Sequence, residues 1–209
     1  MARYTGPGCR RCRHQNQKLM LKGERCASPK CALERKKVGA GGRTRGRPRK
    51  LSEYGVRLLE KQKVKDMYGM LERQMQRYFQ IAQEHPGRTG EEFLRILETR
   101  LDNVVLRAGF ADSLRQARQL VRHGHFTVNG RKLNVPSYLV KSGDVIAWKE
   151  NKQKLFPCQN ATQNVANRQV PAWLSVDRAT VTAKVLTMPS REDIGSTINE
   201  RLIIEFYSK

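Results

Sequence analysis

Four cysteines fall between Cys9 and Cys31, in the stretch CRRCRHQNQKLMLKGERCASPKC. Two close pairs, Cys9-x2-Cys12 and Cys26-x4-Cys31, are separated by thirteen residues. A chain with this spacing either clips itself with disulfides or folds both turns around a shared ion. Tetrahedral zinc takes four soft ligands at about 2.3 Å, and two short cysteine turns bridged by a loop supply them. A disulfide framework needs an oxidising compartment, and the opening MARYTGPG lacks the apolar stretch of a signal peptide. A thioredoxin-like site needs one Cys-x-x-Cys opening a helix in a βαβ unit, which this segment does not provide. An iron–sulfur cluster also takes four thiolates, but its redox chemistry finds no partner elsewhere in the chain. The expectation is one structural Zn²⁺ on Cys9, Cys12, Cys26 and Cys31. Four protein ligands leave no position for water, so the ion is structural rather than catalytic. His14 is the residue that could replace one of the four, and Cys158, alone in sequence, reads as a partly buried apolar residue.

Seven of the nineteen other positions in that stretch are Lys or Arg. Four thiolates around one Zn²⁺ leave an excess negative charge, which neighbouring cations offset while favouring the thiolate form. The surplus extends well past the cysteines. The 209 residues carry a net charge of +22, and residues 1–50 hold sixteen Lys or Arg against Glu24 and Glu34. Self-repulsion of this size is relieved by a polyanion, and nucleic acid is the usual one. A membrane is the weaker reading, because no long basic amphipathic helix and no run of about 18 apolar residues occurs. The chain is expected to be soluble and to stay in the compartment where it is made.

Residues 36–51, KKVGAGGRTRGRPRKL, are Gly-rich and basic, so they should not fold alone but could order against phosphates. Residues 52–110 read as helices. Ser52 is an N-cap with Glu53 at the positive end of the dipole. Val56, Leu59, Val64, Met67 and Leu71 keep near one face, and Met75, Tyr78, Phe79 and Ala82 continue in a second helix. After HPGRTGEEF breaks the pattern, Thr89 and Glu92 form a capping box for a third helix through Phe93, Leu94, Leu97 and Leu101. Ser113 and Gln116 form another, opening LRQARQLVRHG, which Gly124 should close. FTVNGRKLNV then places strands around Asn129-Gly130, a hairpin signal, and VIAW follows the turn KSGD. Residues 152–169 read as a helix, TVTAKVL as a strand and RLIIEFY as a buried terminal strand.

On the helix LRQARQLVRHG, Ala117, Leu120 and Val121 are expected to face inward. Arg115, Arg118, Gln119 and Arg122 fall on the other side at three- and four-residue spacing. Arg115, Arg118, Arg122, Arg131 and Lys132 suit phosphates, while Gln116, Gln119, His123, His125 and Asn129 can bond sugars and base edges. Arg10, Arg11 and Arg100 join this set, with Arg43, Arg45, Arg47, Arg49 and Lys50 in the basic tract. Double-stranded RNA is recognised largely by shape, through its wide minor groove, 2′-hydroxyls and phosphates.

The run RLDNVVLRAGFADSLRQARQLVRHGHFTVNGRKLNVPSYLVKSGDVI, from Arg100 to Ile146, resembles the RNA-binding module of the small-subunit ribosomal protein S-four family. SEYGVRLLEKQKVKDMYGMLERQ resembles the family's preceding helical region and NERLIIEFYSK its terminus. The paired cysteines match its zinc-bearing form, of bacterial or organellar type. The resemblance implies an α+β chain: a zinc-bound basic extension over 1–51, a helical domain over 52–98 completed by 190–209, and an RNA-binding module with a twisted antiparallel sheet over 99–189. It further implies binding to small-subunit rRNA at a helix junction early in assembly. It places the chain where messenger RNA enters the subunit, beside ribosomal proteins S-three and S-five, with an effect on decoding accuracy and Arg47, Arg49 and Lys50 near the messenger. The setting is the cytoplasm, or an organelle's stroma or matrix. One departure is plain: where many bacterial members carry Pro-Gly-Gln-His-Gly, this chain has KKVGAGGRTRG, so contacts of that Gln and His are not carried over.

Two other function classes fit the sequence less well. An RNA-modifying enzyme using the same module as a clamp needs a catalytic acid or nucleophile in a separate domain, and no such constellation occurs. Asp102 reads as a helix or salt-bridge residue. A zinc-dependent DNA-binding regulator needs a recognition helix after the cysteines, and none follows.

Overall fold

The computed structural model describes residues 4–35, 50–165, 168–177, 180–195 and 197–208. Its backbone divides into two compact units: Met1–Phe93 with Ser196–Lys209, and Leu94–Gly195. No helix among the described residues is long and apolar enough to cross a membrane.

In the first unit, three short helices carry the cysteines: α1 (Gly8–Gln15), α2 (Glu24–Ala27) and α3 (Ala32–Arg35). Cys12, Leu19 and Leu21 form a small apolar cluster against Met67. The longer helices α4 (Glu53–Met67) and α5 (Glu72–Glu84) follow, and α6 (Thr89–Glu98) begins in this unit and ends in the second. Ser52 caps α4 as expected, its Oγ accepting from the Gly55 N–H at 3.2 Å. The core is built on Val64, Met75, Ala82 and Ile203, all fully buried. Phe79 meets Phe93 edge-on at 5.8 Å and Tyr207 at 4.7 Å. Val56 and Leu71 are 40% exposed and stand outside the apolar face assigned to them. Leu71 occupies the N-cap position of α5 in extended backbone, so its side chain leaves the helical stripe.

The terminal segment corrects the sequence reading. RLIIEFY is helix α10 (Glu200–Tyr207), not a strand. Asn199 caps it by accepting from the Arg201 N–H. Arg201 and Glu205, four apart, face solvent while Ile203 is buried, a 3.6-residue period that the apolar run concealed. Antiparallel packing on α4 is fixed by Arg57 to Glu205 at 2.7 Å and by Glu60 accepting from the Asn199 N–H at 2.8 Å.

The second unit holds α7 (Leu101–Arg107), α8 (Leu114–Arg122) and α9 (Phe156–Val165) against one antiparallel sheet. Its strands are β1 (Phe126–Val128), β2 (Arg131–Lys132), β3 (Val145–Trp148), β4 (Leu174–Asp177) and β5 (Thr182–Val185), in the order β2-β1-β3-β5-β4. Strand β4 carried no clear sequence signal. Asn129 and Gly130 turn the β1–β2 hairpin at φ 50° and 77°, the left-handed pair that a two-residue turn requires. The core runs from Leu101, Val104 and Val105 through Ala117 and Val121 to Phe126, Ile146, Trp148 and Ala183. Cys158 enters it at 2% exposure, deeper than expected.

Candidate nucleic-acid interface

Helix α8 starts where Ser113 Oγ accepts from the Gln116 N–H, and the Gln116 amide oxygen accepts from the Asp112 N–H at 2.8 Å. Gln116 therefore spends its acceptor on the cap. Leu114, Ala117, Leu120 and Val121 are buried, while Arg115, Gln119 and Arg122 are exposed at i, i+4 and i+7. At 1.5 Å per residue these three line about 10 Å of one helix face. The helix ends at Gly124 with φ 67°, where an added Cβ would come within 2.5 Å of Lys132 Cε. The Lys132 stem thus lies over the bare glycine, bringing the hairpin cation to the end of α8. His123, Arg131 and Lys132 are exposed beside it.

Three residues expected at the RNA surface are buried. Arg100 is fully buried and grips Asp102 through two hydrogen bonds, Nε at 3.0 Å and Nη2 at 2.7 Å. Arg118 is 5% exposed, with its Nε 3.9 Å from the same carboxylate. Neither guanidinium can reach a phosphate from there. Asp102 is the salt-bridge residue that the sequence suggested. His125 is also buried, edge-on to Trp148 at 5.8 Å, and its Nδ1 has no hydrogen-bond partner among the described residues. Burial lowers its pKa, and the charges of Lys152 and His123 add to the effect.

Asn129 is exposed, yet its amide is committed at both ends. Nδ2 donates to Asp144 at 2.8 Å, and Oδ1 accepts from the Val145 N–H at 2.9 Å. The other Asp144 oxygen accepts from the Lys141 N–H at 2.8 Å. This bracket ties the hairpin to the KSGD turn and leaves Lys141 exposed nearby, a cation that sequence reasoning did not single out. Its only sequence signal was that turn.

In the first unit Arg10 is exposed, whereas Arg11 pairs with Asp66 and stacks 3.9 Å over the Tyr4 ring. With His14 they line a hollow of about 310 Å³. Lys50 is exposed; Arg43, Arg45, Arg47 and Arg49 lie outside the described residues. Cys12, Cys26 and Cys31 are buried and Cys9 is half-buried, all as free thiols. Burial pushes the Cys12 thiol up, the Leu19 N–H opposes this, and the charges of Cys26, Cys9 and Cys31 raise it further. The Lys22 N–H points at Cys26 Sγ at 3.3 Å. Among the described residues no group of three or more His, Cys, Asp or Glu is arranged as a metal's ligands would be. Thiolate sulfur is the donor type that structural zinc takes, so the residue types fit while their arrangement does not gather them into a site.

Comparison with known proteins decides the family. The description "Ribosomal protein S4/S9 N-terminal domain" matches residues 3–98, and "S4 domain" matches residues 99–146. The chain is 53% identical to small ribosomal subunit protein uS4 of Acetivibrio thermocellus, 50% to that of Pelotomaculum thermopropionicum and 52% to that of Dictyoglomus turgidum. Each comparison covers all of both chains. The chain belongs to the uS4 family. The S4-domain match takes in α7, α8 and the β1–β2 hairpin and ends within β3, so it covers the elements that carry the exposed cations and the buried Asp102.

Proposed function

We propose that the chain is a structural component of the small ribosomal subunit that binds small-subunit rRNA directly. The observation that carries this is full-length identity of about half to relatives named small ribosomal subunit protein uS4. The exposed set Arg115, Gln119, Arg122, His123, Arg131 and Lys132 supplies the chemistry, because cations on α8 and the hairpin meet phosphates at a helix junction read mainly by shape. The chain is not an enzyme; its relatives carry the name of a ribosomal subunit protein.

The finer role follows the family likeness. The protein nucleates subunit assembly in the cytoplasm, lies where messenger RNA enters, touches ribosomal proteins S-three and S-five, and affects accuracy. Cys9, Cys12, Cys26 and Cys31 would hold one structural Zn²⁺, whose chemistry is to crosslink the two cysteine turns. Equilibrium binding of the full chain to small-subunit rRNA across a salt series tests the core of this reading. Specific, salt-dependent association is expected, and affinity no greater than for unrelated duplex RNA at the same salt would overturn it.

A further inference from the structure

The outer face of the sheet carries a cleft of about 480 Å³ that the cations described above do not use. One row crosses all five strands in register: Lys132 on β2, Thr127 on β1, Ala147 on β3, Thr182 on β5 and Asp177 on β4. Residues directly opposite one another share a face. Small Ala147 at the centre, flanked by two threonines, leaves a shallow floor edged with hydroxyls. The rim is the turn after β3, which includes the 3-10 segment Glu150–Lys152. That turn is held in place: the Lys149 N–H donates to the His125 carbonyl at 2.8 Å and the Gln153 N–H to the Glu150 carbonyl at 3.2 Å. Asn151 and Gln153 are exposed on it. Gly130 closes the other end, so the cleft opens beside the hairpin that carries Arg131 and Lys132.

The lining selects among occupants. Lys149 and Glu150 adjoin on the rim, so their charges offset and a bare phosphate gains little. An apolar side chain would cover the Asn151 and Gln153 amides and the Glu150 carboxylate without giving them partners, which is costly. A nucleobase edge suits the set. The Asn151 and Gln153 amides each present a donor beside an acceptor, and Glu150 accepts from an amino group. The Thr127 hydroxyl, donating to the Ala147 carbonyl at 3.3 Å, and the Thr182 hydroxyl, paired with Thr180 at 2.9 Å, keep lone pairs to accept with. The volume lies within the roughly 300–1,000 Å³ of small-ligand pockets. RNA is read by sequence mainly where unstacked bases can be splayed out.

We infer that this cleft receives one unpaired base of the RNA held by α8 and the β1–β2 hairpin, with Asn151 and Gln153 reading its edge over the floor of Thr127, Ala147 and Thr182. The inference rests on the rRNA-binding reading above and adds a base-specific element to a surface otherwise directed at phosphates.

The test uses the full chain and in-vitro transcribed small-subunit rRNA, with binding measured over a salt series and base edges probed chemically. The double variant Asn151→Ala, Gln153→Ala changes only the exposed turn, and unchanged tryptophan fluorescence checks its fold. About tenfold weaker binding is expected, with an unchanged salt slope. One unpaired base, shielded in the wild-type complex, should become reactive in the variant complex. Unchanged affinity with no base regaining reactivity overturns the inference and leaves rRNA binding intact. A lower salt slope also overturns it, since the loss would then come from displacing the turn's cations Lys149 and Lys152 from phosphates rather than from a base edge. If the unaltered chain fails to bind this rRNA, the underlying reading falls as well, a result visible before any variant is made.

Discussion

Arg100 and Asp102 form an ion pair with no solvent exposure on either side chain, two residues apart at the start of α7. Arg118 reaches the same carboxylate from α8, so one acidic group ties α8 to α7. The backbone reinforces the joint: the Leu101 N–H donates to the Tyr138 carbonyl at 2.8 Å and the Asp102 N–H to the Pro136 carbonyl at 3.2 Å.

Asp102→Asn leaves two buried guanidinium groups facing a neutral amide. Stability of the second unit should fall by about 3–5 kcal/mol. Both tryptophans, Trp148 and Trp173, lie in its core, so denaturant unfolding followed by fluorescence reads that unit alone. An unchanged midpoint would contradict the clamp.

Arg118 and Arg122 should separate cleanly. Arg122→Ala should weaken rRNA binding and reduce the magnitude of the salt slope by roughly one. Arg118→Met should lower the unfolding midpoint while leaving the salt slope of the folded protein unchanged, because its charge sits on Asp102 rather than on RNA. Equal slope changes in the two variants would return Arg118 to the interface.

On the zinc reading proposed above, Cys26→Ser releases the ion and loosens residues 1–35 while the second unit keeps its tryptophan-monitored transition. Metal analysis gives the answer directly: retention of one zinc per chain would exclude Cys26 as a ligand.

His125 predicts a pH response. Its folded pKa lies below the ordinary value near 6.5, so the unfolded chain takes up the proton first as pH falls. The stability it contributes is complete above about 6.5 and is lost as pH drops from there through the lower folded pKa. His125→Phe should flatten this part of the stability profile between about pH 7 and 5. A profile with the same slope as wild type would assign the response to other groups.

The sequence was most informative where local chemistry acts alone. Ser113 and Gln116 announced α8, and Asn129-Gly130 announced the hairpin, because caps and tight turns depend on a few adjacent residues. It misled where burial depends on distant chain. Arg118 lies about 40° around the helix from buried Leu114, whereas Arg122 lies about 80° away. Spacing alone cannot tell that the nearer position belongs to the core until Asp102 is placed. Leu202-Ile203-Ile204 suits a strand as readily as a helix, and packing against α4 decided for the helix. Asn129 suits an RNA contact by residue type, yet its amide donates to Asp144 and accepts from the Val145 N–H, partners that lie fifteen and sixteen residues away.

The stem of Lys132 rests on a residue that has no side chain. A survey of substitutions scored by RNA affinity would therefore mark Gly124 as sensitive, although it has no side chain with which to touch RNA. Any side chain there would lift the lysine from its seat and strain a left-handed turn. Sensitivity in such a survey would trace the supports of the cations as well as the cations themselves.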